Sequence, residues 1–372
     1  MEPNIEVPRM FELRSSMNSR ENYLRTVEMR FPEWIPCTIV INDATWHRYR
    51  ERLEEIVARY PAVMGEYSRG IRSFDDFGVR VKGNIYRDEW GCVWHHAQDG
   101  LAGQVKFHPL EDWRDLREYK PPDPLRLKGP PQASTPPTET WEEARRRLKE
   151  DRRAGRLAYG YLPHGSLFQR IYYLRGFKNF LIDTVTRQER LSSLVSIVLE
   201  YNMRLIEWWI GNDVDVIGFG DDLGTQDRLT INPKVFRRVF IPAYTEMFKA
   251  CKEAGVHVHF HSDGHIMEVA HDLVEAGVSV LNLQDIVNGL ERIERELKGR
   301  VCIDLDIDRQ RLLPFGTPEE IERHIEVSVS RLASRRGGLM LTAGIYPDVP
   351  LANIEALIQS MERHRDYRNV PE

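Results

Sequence analysis

The sequence predicts a (β/α)8 barrel, in which a closed ring of parallel strands is surrounded by helices. From about residue 157 onward, short apolar runs alternate with amphipathic segments of helical length, as parallel strands joined by helical crossovers require. Polar clusters follow several of these runs, at the strand end where barrels of this kind place their chemistry. No GxGxxG motif or P-loop follows any strand, which disfavours the alternative, a doubly wound open sheet.

Seven strands are predicted from the apolar runs, at 35–41, 157–162, 214–219, 256–261, 278–283, 301–306 and 339–341. The helices predicted between and before them are 18–28, 45–60, 140–154, 167–174, 188–210, 233–254, 266–276, 286–297, 318–333 and 351–364. Because a closed barrel of this class has eight strands, we expect an eighth strand between Pro61 and Pro163.

The part of the chain before residue 157 departs from this alternation. Residues 78–96 contain strand-like stretches around the turn-forming pair Gly83-Asn84 and predict an antiparallel hairpin that covers the barrel mouth. Trp94 of this hairpin is a candidate for ligand contact; packing of the hairpin onto the barrel rim is the alternative. Residues 120–138 hold three Pro-Pro pairs and predict a solvated surface insertion. We expect residues 1–372 to form a single domain.

Composition and charge restrict the class of protein. The chain is 41% hydrophobic and 29% charged, as globular proteins are. Its formal net charge of -5 argues against a nucleic acid or an anionic membrane as partner, and it has no apolar run of the roughly 18 residues that a membrane span needs. Residues 1–22 lack a signal-peptide core, and the four cysteines form no CxxC pair. We therefore expect a cytoplasmic protein with reduced thiols and a small-molecule substrate.

The strand at 256–261 alternates apolar residues with His257, His259 and His261. Side chains alternate between the two faces of a strand, so the three histidines share one face. We expect that face to point into the barrel, because the opposite orientation would press imidazoles against the apolar sides of helices. The two deeper histidines are then hydrogen-bonded core groups. His261 and Asp263, at the rim, are candidates for catalysis and for binding a divalent metal.

Carboxylates and amides end the neighbouring strands. Asp222 is a candidate catalytic residue because a rim carboxylate can ligate a metal or transfer a proton; ordering of the loop that follows is the alternative. Asp304 and Asp306 share a face of the strand at 301–306. We expect Asp304 to pair with a deep histidine and Asp306 to act at the rim. The candidates for substrate binding are Asp221, Gln226, His164, Gln284, Asp306 and Tyr346 at the strand ends, together with Trp94 of the hairpin.

Six short stretches, taken in order and spacing, resemble one known family. They are 88–91 (DEWG), 108–110 (HPL), 174–176 (LRG), 221–226 (DDLGTQ), 261–264 (HSDG) and 316–320 (GTPEE). Together they resemble the uroporphyrinogen decarboxylase (URO-D) superfamily, which also contains corrinoid-dependent methyltransferases. The resemblance covers about residues 20–365 and implies a (β/α)8 barrel, which agrees with the strand pattern. It also implies an enzyme that is often a homodimer.

The chain departs from both branches of that superfamily. Resemblance to the decarboxylases implies an arginine-rich N-terminal motif that grips the substrate carboxylates, and residues 25–36 lack this motif. Resemblance to the zinc methyltransferases implies His-x-Cys-Gly and a later cysteine. Here residues 261–264 read HSDG, and no cysteine lies near Gly344. Histidine and aspartate form a harder ligand set than thiolates and suit oxygen substrates.

These departures lead to one main hypothesis and two alternatives. We expect a methyltransferase that moves a methyl group from a small methoxy or related compound to a corrinoid on a partner protein. His261 and Asp263, with Asp222, would bind zinc or another divalent metal, or position a substrate oxygen. Without a metal, Asp222 or Asp263 would be the general acid. The alternatives are a cofactor-free carboxy-lyase of the uroporphyrinogen decarboxylase type and a non-catalytic barrel that binds a ligand.

Overall fold

The computed structural model describes residues 17–370, so most of the N-terminal stretch judged for a signal peptide lies outside the described residues. Seven parallel strands form its central sheet: β1 Cys37–Ile41, β5 Tyr159–Tyr161, β6 Val216–Gly220, β7 His257–Ser262, β8 Val280–Gln284, β9 Cys302–Asp306 and β10 Leu339–Ile345. They are hydrogen-bonded in the order β1-β10-β9-β8-β7-β6-β5. The sheet curls into a half-barrel, which confirms a TIM-barrel-like fold and all seven predicted strands.

The expected eighth strand is absent from residues 61–163, all of which are described. Besides β5, this stretch forms a separate antiparallel sheet of β2 Ile85–Arg87, β3 Val93–His95 and β4 Gln104–Phe107. The pairing of β2 with β3 confirms a hairpin within residues 78–96, but its turn lies at 88–92 rather than at Gly83-Asn84. The third strand, β4, was not predicted. The stretch is rich in glycine, proline and charged residues, so it lacks the continuous apolar run that a strand buried in a parallel sheet needs.

Helices surround the sheet. Those that precede β6 are α1 Ser19–Val27, α2 Asp43–Tyr49, α3 Glu51–Arg59, α4 Pro61–Met64, α5 Trp141–Arg153, α6 Phe168–Arg175, α7 Phe177–Thr186 and α8 Gln188–Ile210. Those that follow β6 are α9 Pro233–Val239, α10 Ile241–Glu253, α11 Ala270–Ala276, α12 Asp285–Asn288, α13 Leu290–Leu297, α14 Leu312–Phe315, α15 Pro318–Leu332 and α16 Leu351–His364. Within residues 17–370, none of these helices has the length and apolar character to cross a membrane.

Local sequence explains where predicted helices divide. The helix predicted at 45–60 breaks at Arg50, whose φ is 50°. The helix predicted at 233–254 breaks at Phe240, two residues before Pro242, because proline lacks the N–H group that a continuous helix would use. Gly289 adopts a φ of 78° between α12 and α13, a conformation that glycine accepts without a steric penalty. Thr140 forms the predicted capping box at the start of α5.

The predicted histidine stack lies inside the barrel. His259 is 3.2 Å from the Tyr159 hydroxyl through Nδ1 and 3.1 Å from Asp304 Oδ2 through Nε2. This contact confirms the prediction that Asp304 pairs with a deep histidine. His257, one layer lower, lies 3.3 Å from a carboxylate oxygen of Glu28 in α1. The two deeper histidines are therefore internal structural groups.

The proline-rich segment packs more closely than expected. Pro130 and Pro131 are buried, and the neighbouring Gln132 donates a hydrogen bond from Nε2 to the Tyr161 hydroxyl, at 2.7 Å. Tyr161 belongs to the edge strand β5. The predicted surface insertion therefore keeps exposed residues such as Pro121 and Pro136, while part of it rests against that edge of the central sheet.

A buried ion pair joins the antiparallel sheet to α6. Arg170 Nη1 lies 2.7 Å from Asp88 Oδ2, and the two side chains are 1% and 0% exposed. Asp88 also accepts hydrogen bonds from the Cys92 N–H and from Trp94 Nε1. Trp94 is itself buried, with its ring against Tyr173 at a centroid distance of 4.9 Å. The structure thus contradicts a ligand-binding role for Trp94, whose only polar group is already bonded.

We predict that Asp88→Ala lowers the free energy of unfolding by about 3–5 kcal/mol, because it leaves the Arg170 guanidinium buried without its counter-ion. Chemical denaturation followed by circular dichroism measures this loss. Asp348→Ala, an exposed position, is the control and should change stability by less than about 0.5 kcal/mol. A similar small effect for both substitutions would show that the pair does not anchor the sheet.

Candidate active site

Three predicted side chains meet at the C-terminal ends of neighbouring strands. His164 follows β5, Asp222 follows β6, and His261 lies on β7. Asp222 Oδ2 is 3.2 Å from His164 Nε2, and Asp222 Oδ1 is 3.8 Å from His261 Nε2. His261 Nε2 is also 3.5 Å from Asp263 Oδ1. The four side chains are between 27% and 43% exposed, so a ligand can reach them from solvent.

Gly220, the last residue of β6, makes room for this arrangement. A Cβ atom at this position would lie 2.6 Å from His164 Nδ1, closer than atoms in real structures approach. A larger residue would therefore displace the imidazole. The glycine allows His164 to lie over the strand and reach Asp222.

Asp222 is held in place by protein groups on several sides. Gln169 of α6 donates from Nε2 to Asp222 Oδ2, at 3.1 Å, and accepts from the Asp222 N–H, at 2.9 Å. Burial opposes ionisation of Asp222, but the hydrogen bond and charge of His164 and the charge of His261 lower its pKa well below the usual range. This shift favours the carboxylate form of Asp222, which suits a metal ligand or a proton acceptor better than the predicted general acid.

His164 takes a larger part in the candidate site than the substrate-binding role that the sequence predicted. Burial disfavours its charged form, yet the hydrogen bond to Asp222 and the nearby charges of Asp222, Asp221 and Asp263 raise its pKa to about 9. In the absence of a bound metal, His164 and Asp222 therefore form an imidazolium–carboxylate pair at neutral pH.

Asp221 lies beneath the rim and is 0% exposed. It accepts hydrogen bonds from the N–H groups of Leu167 and Gln169, at 3.0 and 2.9 Å. It also accepts from the hydroxyls of Ser166 and Tyr244, at 3.2 and 2.9 Å. Burial raises its pKa. The predicted substrate-binding role is wrong, because Asp221 is out of solvent and instead holds the first turn of α6.

The two predicted glutamines do not join the site. Gln284 is 6% exposed, and its Oε1 accepts a hydrogen bond from the Gly264 N–H at 2.9 Å, so it supports the turn after β7. Gln226 is exposed in a loop closed by a bridge between Gly224 and Leu229. The structure therefore contradicts substrate binding by Gln284, and it does not bring Gln226 into hydrogen bonding with any described site residue.

Asn282 of β8 orients His261. His261 Nδ1 contacts Asn282 Oδ1, and Asn282 Nδ2 donates to the Asp304 carbonyl at 2.9 Å. With Nδ1 engaged in this way, Nε2 is left to face Asp222 and Asp263. A fixed second nitrogen is the usual arrangement for a histidine that binds a metal or transfers a proton.

A second cluster adjoins the first and contains a residue that was not predicted. Arg309 Nη2 contacts Asp263 Oδ1, Arg309 Nη1 lies 3.5 Å from Asp306 Oδ2, and the guanidinium lies over the Tyr346 ring. Tyr346 is 36% exposed, so it lies at the rim as predicted. Arg309 is three residues after Asp306, and a cation directly after a run of acids was the one sequence feature that could have indicated it.

Asp306 is buried within this second cluster. It is 2% exposed, and its Oδ1 has no hydrogen-bond partner among the described residues. Burial raises its pKa to about 8; the charge of Arg309 acts in the opposite direction. Asp306 is therefore mostly protonated at neutral pH, unlike Asp222.

Two sets of side chains have ligand atoms that all lie within 4.8 Å of one another: His164, Asp222 and His261, and His261, Asp263 and Asp306. Nitrogen and oxygen ligands of this kind suit zinc and harder divalent metals. In the second set the Arg309 guanidinium already supplies positive charge next to Asp263. The first set is the more exposed of the two, since Asp306 of the second set is buried, and it contains His164 in place of the predicted ligand Asp263.

The likeness to one solved structure agrees with the fold. A methyltransferase from Methanosarcina mazei matches with a TM-score of 0.61 at 15% sequence identity, over 94% of this chain and 99% of that one. A D-psicose 3-epimerase solved in the presence of D-fructose matches with a TM-score of 0.36 at 9% identity, over 61% of this chain and 81% of that one. A comparison with curated protein sequences gave no match.

The family comparison covers most of the chain. The sequence profile of the family described as uroporphyrinogen decarboxylase (URO-D) matches residues 104–364, which include all the residues of both clusters. The chain belongs to the uroporphyrinogen decarboxylase family.

Proposed function

We propose that this protein is a methyltransferase that moves a methyl group from a small methoxy or related compound to a corrinoid carried by a partner protein. The observation that supports this most directly is the open group of His164, Asp222 and His261 at the strand ends. It offers nitrogen and oxygen ligands to a metal ion that would bind the substrate oxygen. Family membership and the likeness to a structure described as a methyltransferase are consistent with it.

The charge of the site favours methyl transfer over decarboxylation of a porphyrinogen. A substrate with many carboxylates needs several free cations. Among the described residues of the two clusters Arg309 is the only arginine, and it is engaged by Asp263 and Asp306. His164 is paired with Asp222 in the same way. The arginine and the imidazolium of the two clusters are therefore already paired with carboxylates, which suits a small substrate of low negative charge.

His164, Asp222 and His261 are the residues that would hold zinc or another divalent metal. When bound, such a metal supplies a Lewis acid for the substrate oxygen. Asn282 fixes the ring of His261, and Gln169 fixes the carboxylate of Asp222. Both supports keep ligand atoms aimed at one point, as a preorganised site requires.

Asp306 and His164 are the two groups of the described site whose raised pKa keeps a proton on them at neutral pH. With His164 assigned to the metal, Asp306 is the proposed proton donor, and its Oδ1 has no hydrogen-bond partner among the described residues. Methyl transfer breaks the carbon–oxygen bond of the substrate, and the electron pair of that bond stays on the leaving oxygen. The methyl group passes to the cobalt of the corrinoid, which supplies the electron pair for the new bond. The leaving oxygen then takes the proton from Asp306, whose raised pKa keeps that proton available at neutral pH.

We predict that His261→Ala and Asp222→Ala each remove bound divalent metal and lower demethylation at least about 100-fold. Metal content measured by mass spectrometry after incubation with Zn²⁺, and demethylation of methoxy compounds with free cob(I)alamin as acceptor, test this. His257→Ala is the matched control on the same strand, since His257 pairs with Glu28 at the far end. Unchanged metal content and unchanged activity in both rim variants would refute the proposed site.

We predict that Asp306→Asn gains stability relative to the natural protein as pH rises from about 4 to about 8. The folded-state pKa of Asp306 lies above its ordinary value. As the pH rises, the unfolded chain loses this proton before the folded protein does. The natural protein therefore becomes progressively less stable over this pH range. Urea denaturation at pH 5 and pH 9 measures the difference. Activity of Asp306→Asn should fall about 100-fold or more at every pH. A pH-independent stability difference together with full activity would contradict this assignment.

A further inference from the structure

One face of α7 exposes large apolar side chains to solvent. Phe177, Ile182 and Val185 are 49%, 48% and 79% exposed, and all three belong to a single helix of ten residues. Single exposed apolar residues are ordinary, but a group of them on one short element marks a surface that another molecule covers.

Three arginines lie beside this helix. Arg187, Arg190 and Arg238 are exposed, and none of them forms an ion pair with a described residue. They line two adjoining depressions of ≈ 670 and ≈ 600 Å³, which share Arg187 and Arg190. Arg190 also lies over the ring of Trp113. The first depression holds these three arginines against one acid, Glu189, so it is locally positive in a chain with a net charge of -5. The second depression also holds Glu111, Asp112 and Asp115, so the positive region is confined to the first.

The apolar face is connected to the candidate active site by direct contacts. The rings of Phe177 and Tyr172 are 5.4 Å apart. The Tyr172 hydroxyl accepts a hydrogen bond from Gln169 Nε2 at 2.9 Å, and the same amide donates to Asp222. Two side chains therefore separate the exposed face from the catalytic carboxylate.

Chain direction places the arginines at the same end of the barrel as the site. Arg187 and Arg190 stand at the start of α8, which is 23 residues long and leads to the beginning of β6. Arg238 lies near the end of α9, before α10 leads back to the beginning of β7. In a strand–helix repeat, the helix that follows a strand begins at the strand's C-terminal end. All three arginines therefore lie at the same end of the barrel as the mouth.

We propose that the surface formed by Phe177, Ile182, Val185, Arg187, Arg190 and Arg238 docks the protein that carries the methyl acceptor. The partner would present acidic residues around an apolar patch. This inference rests on the proposed function, which requires a protein-bound corrinoid to reach the mouth.

The composition of the surface favours a protein over a small anion. Arginine and aromatic residues are enriched in protein interfaces, and unpaired cations steer an oppositely charged partner. A small anion would meet the arginines but would leave the apolar face of α7 exposed.

Charge-reversal variants test whether the arginines bind the partner protein or take part in the reaction. Arg187→Glu and Arg190→Glu are compared with Arg300→Glu, an exposed arginine just before β9 at the opposite end of the barrel. The probes are free cob(I)alamin and a purified, cob(I)alamin-loaded corrinoid protein. We expect each surface variant to raise KM for the corrinoid protein about tenfold, with kcat and the KM for free cob(I)alamin unchanged. Arg300→Glu should behave as the natural protein does.

Direct binding distinguishes failure of this proposal from failure of the proposed function. Calorimetric titration of the corrinoid protein onto each variant needs no turnover. The docking surface is supported if the two surface variants alone bind about tenfold more weakly and if binding by the natural protein weakens as the salt concentration rises. This holds even if no methyl group is transferred. Equal binding by all variants, or an equal loss of activity with both acceptors, overturns it.

Discussion

Asp221 is the group on which the arrangement of the site depends. Its buried carboxylate accepts hydrogen bonds from the backbone of Leu167 and Gln169 and from the hydroxyl of Tyr244, so it ties the start of α6 to the end of β6. A buried carboxylate is costly unless such donors surround it, and here the donors come from the start of α6 and from Tyr244 of α10. The contact therefore fixes the position of α6 relative to the barrel.

Successive residues of α6 then connect three parts of the molecule. Gln169 holds the rim carboxylate of Asp222. Arg170 holds the antiparallel sheet through Asp88. Tyr172 touches Phe177 on the proposed docking face. Because these side chains project from one short helix, the candidate site, the antiparallel sheet and the proposed docking face are positioned together.

The sequence predicted the parts of the structure that follow from periodicity. The alternation of His257, His259 and His261 identified the inner face of β7, and apolar runs located all seven parallel strands. It could not separate Asp221 from Asp222: two adjacent aspartates look alike in sequence, but one is enclosed by α6 and the other reaches the rim. Arg309 was missed for a similar reason, since its contact with Asp263 joins residues 46 positions apart.

The central claim is that His164, Asp222 and His261 form the reactive centre at the barrel mouth. Crystals grown with Zn²⁺ and measured on both sides of the zinc absorption edge test it most directly. The account predicts one anomalous peak at the mouth, bound by His164, Asp222 and His261 at distances of about 2.0–2.2 Å. A peak bound elsewhere, or no peak at the mouth at saturating Zn²⁺, would contradict it.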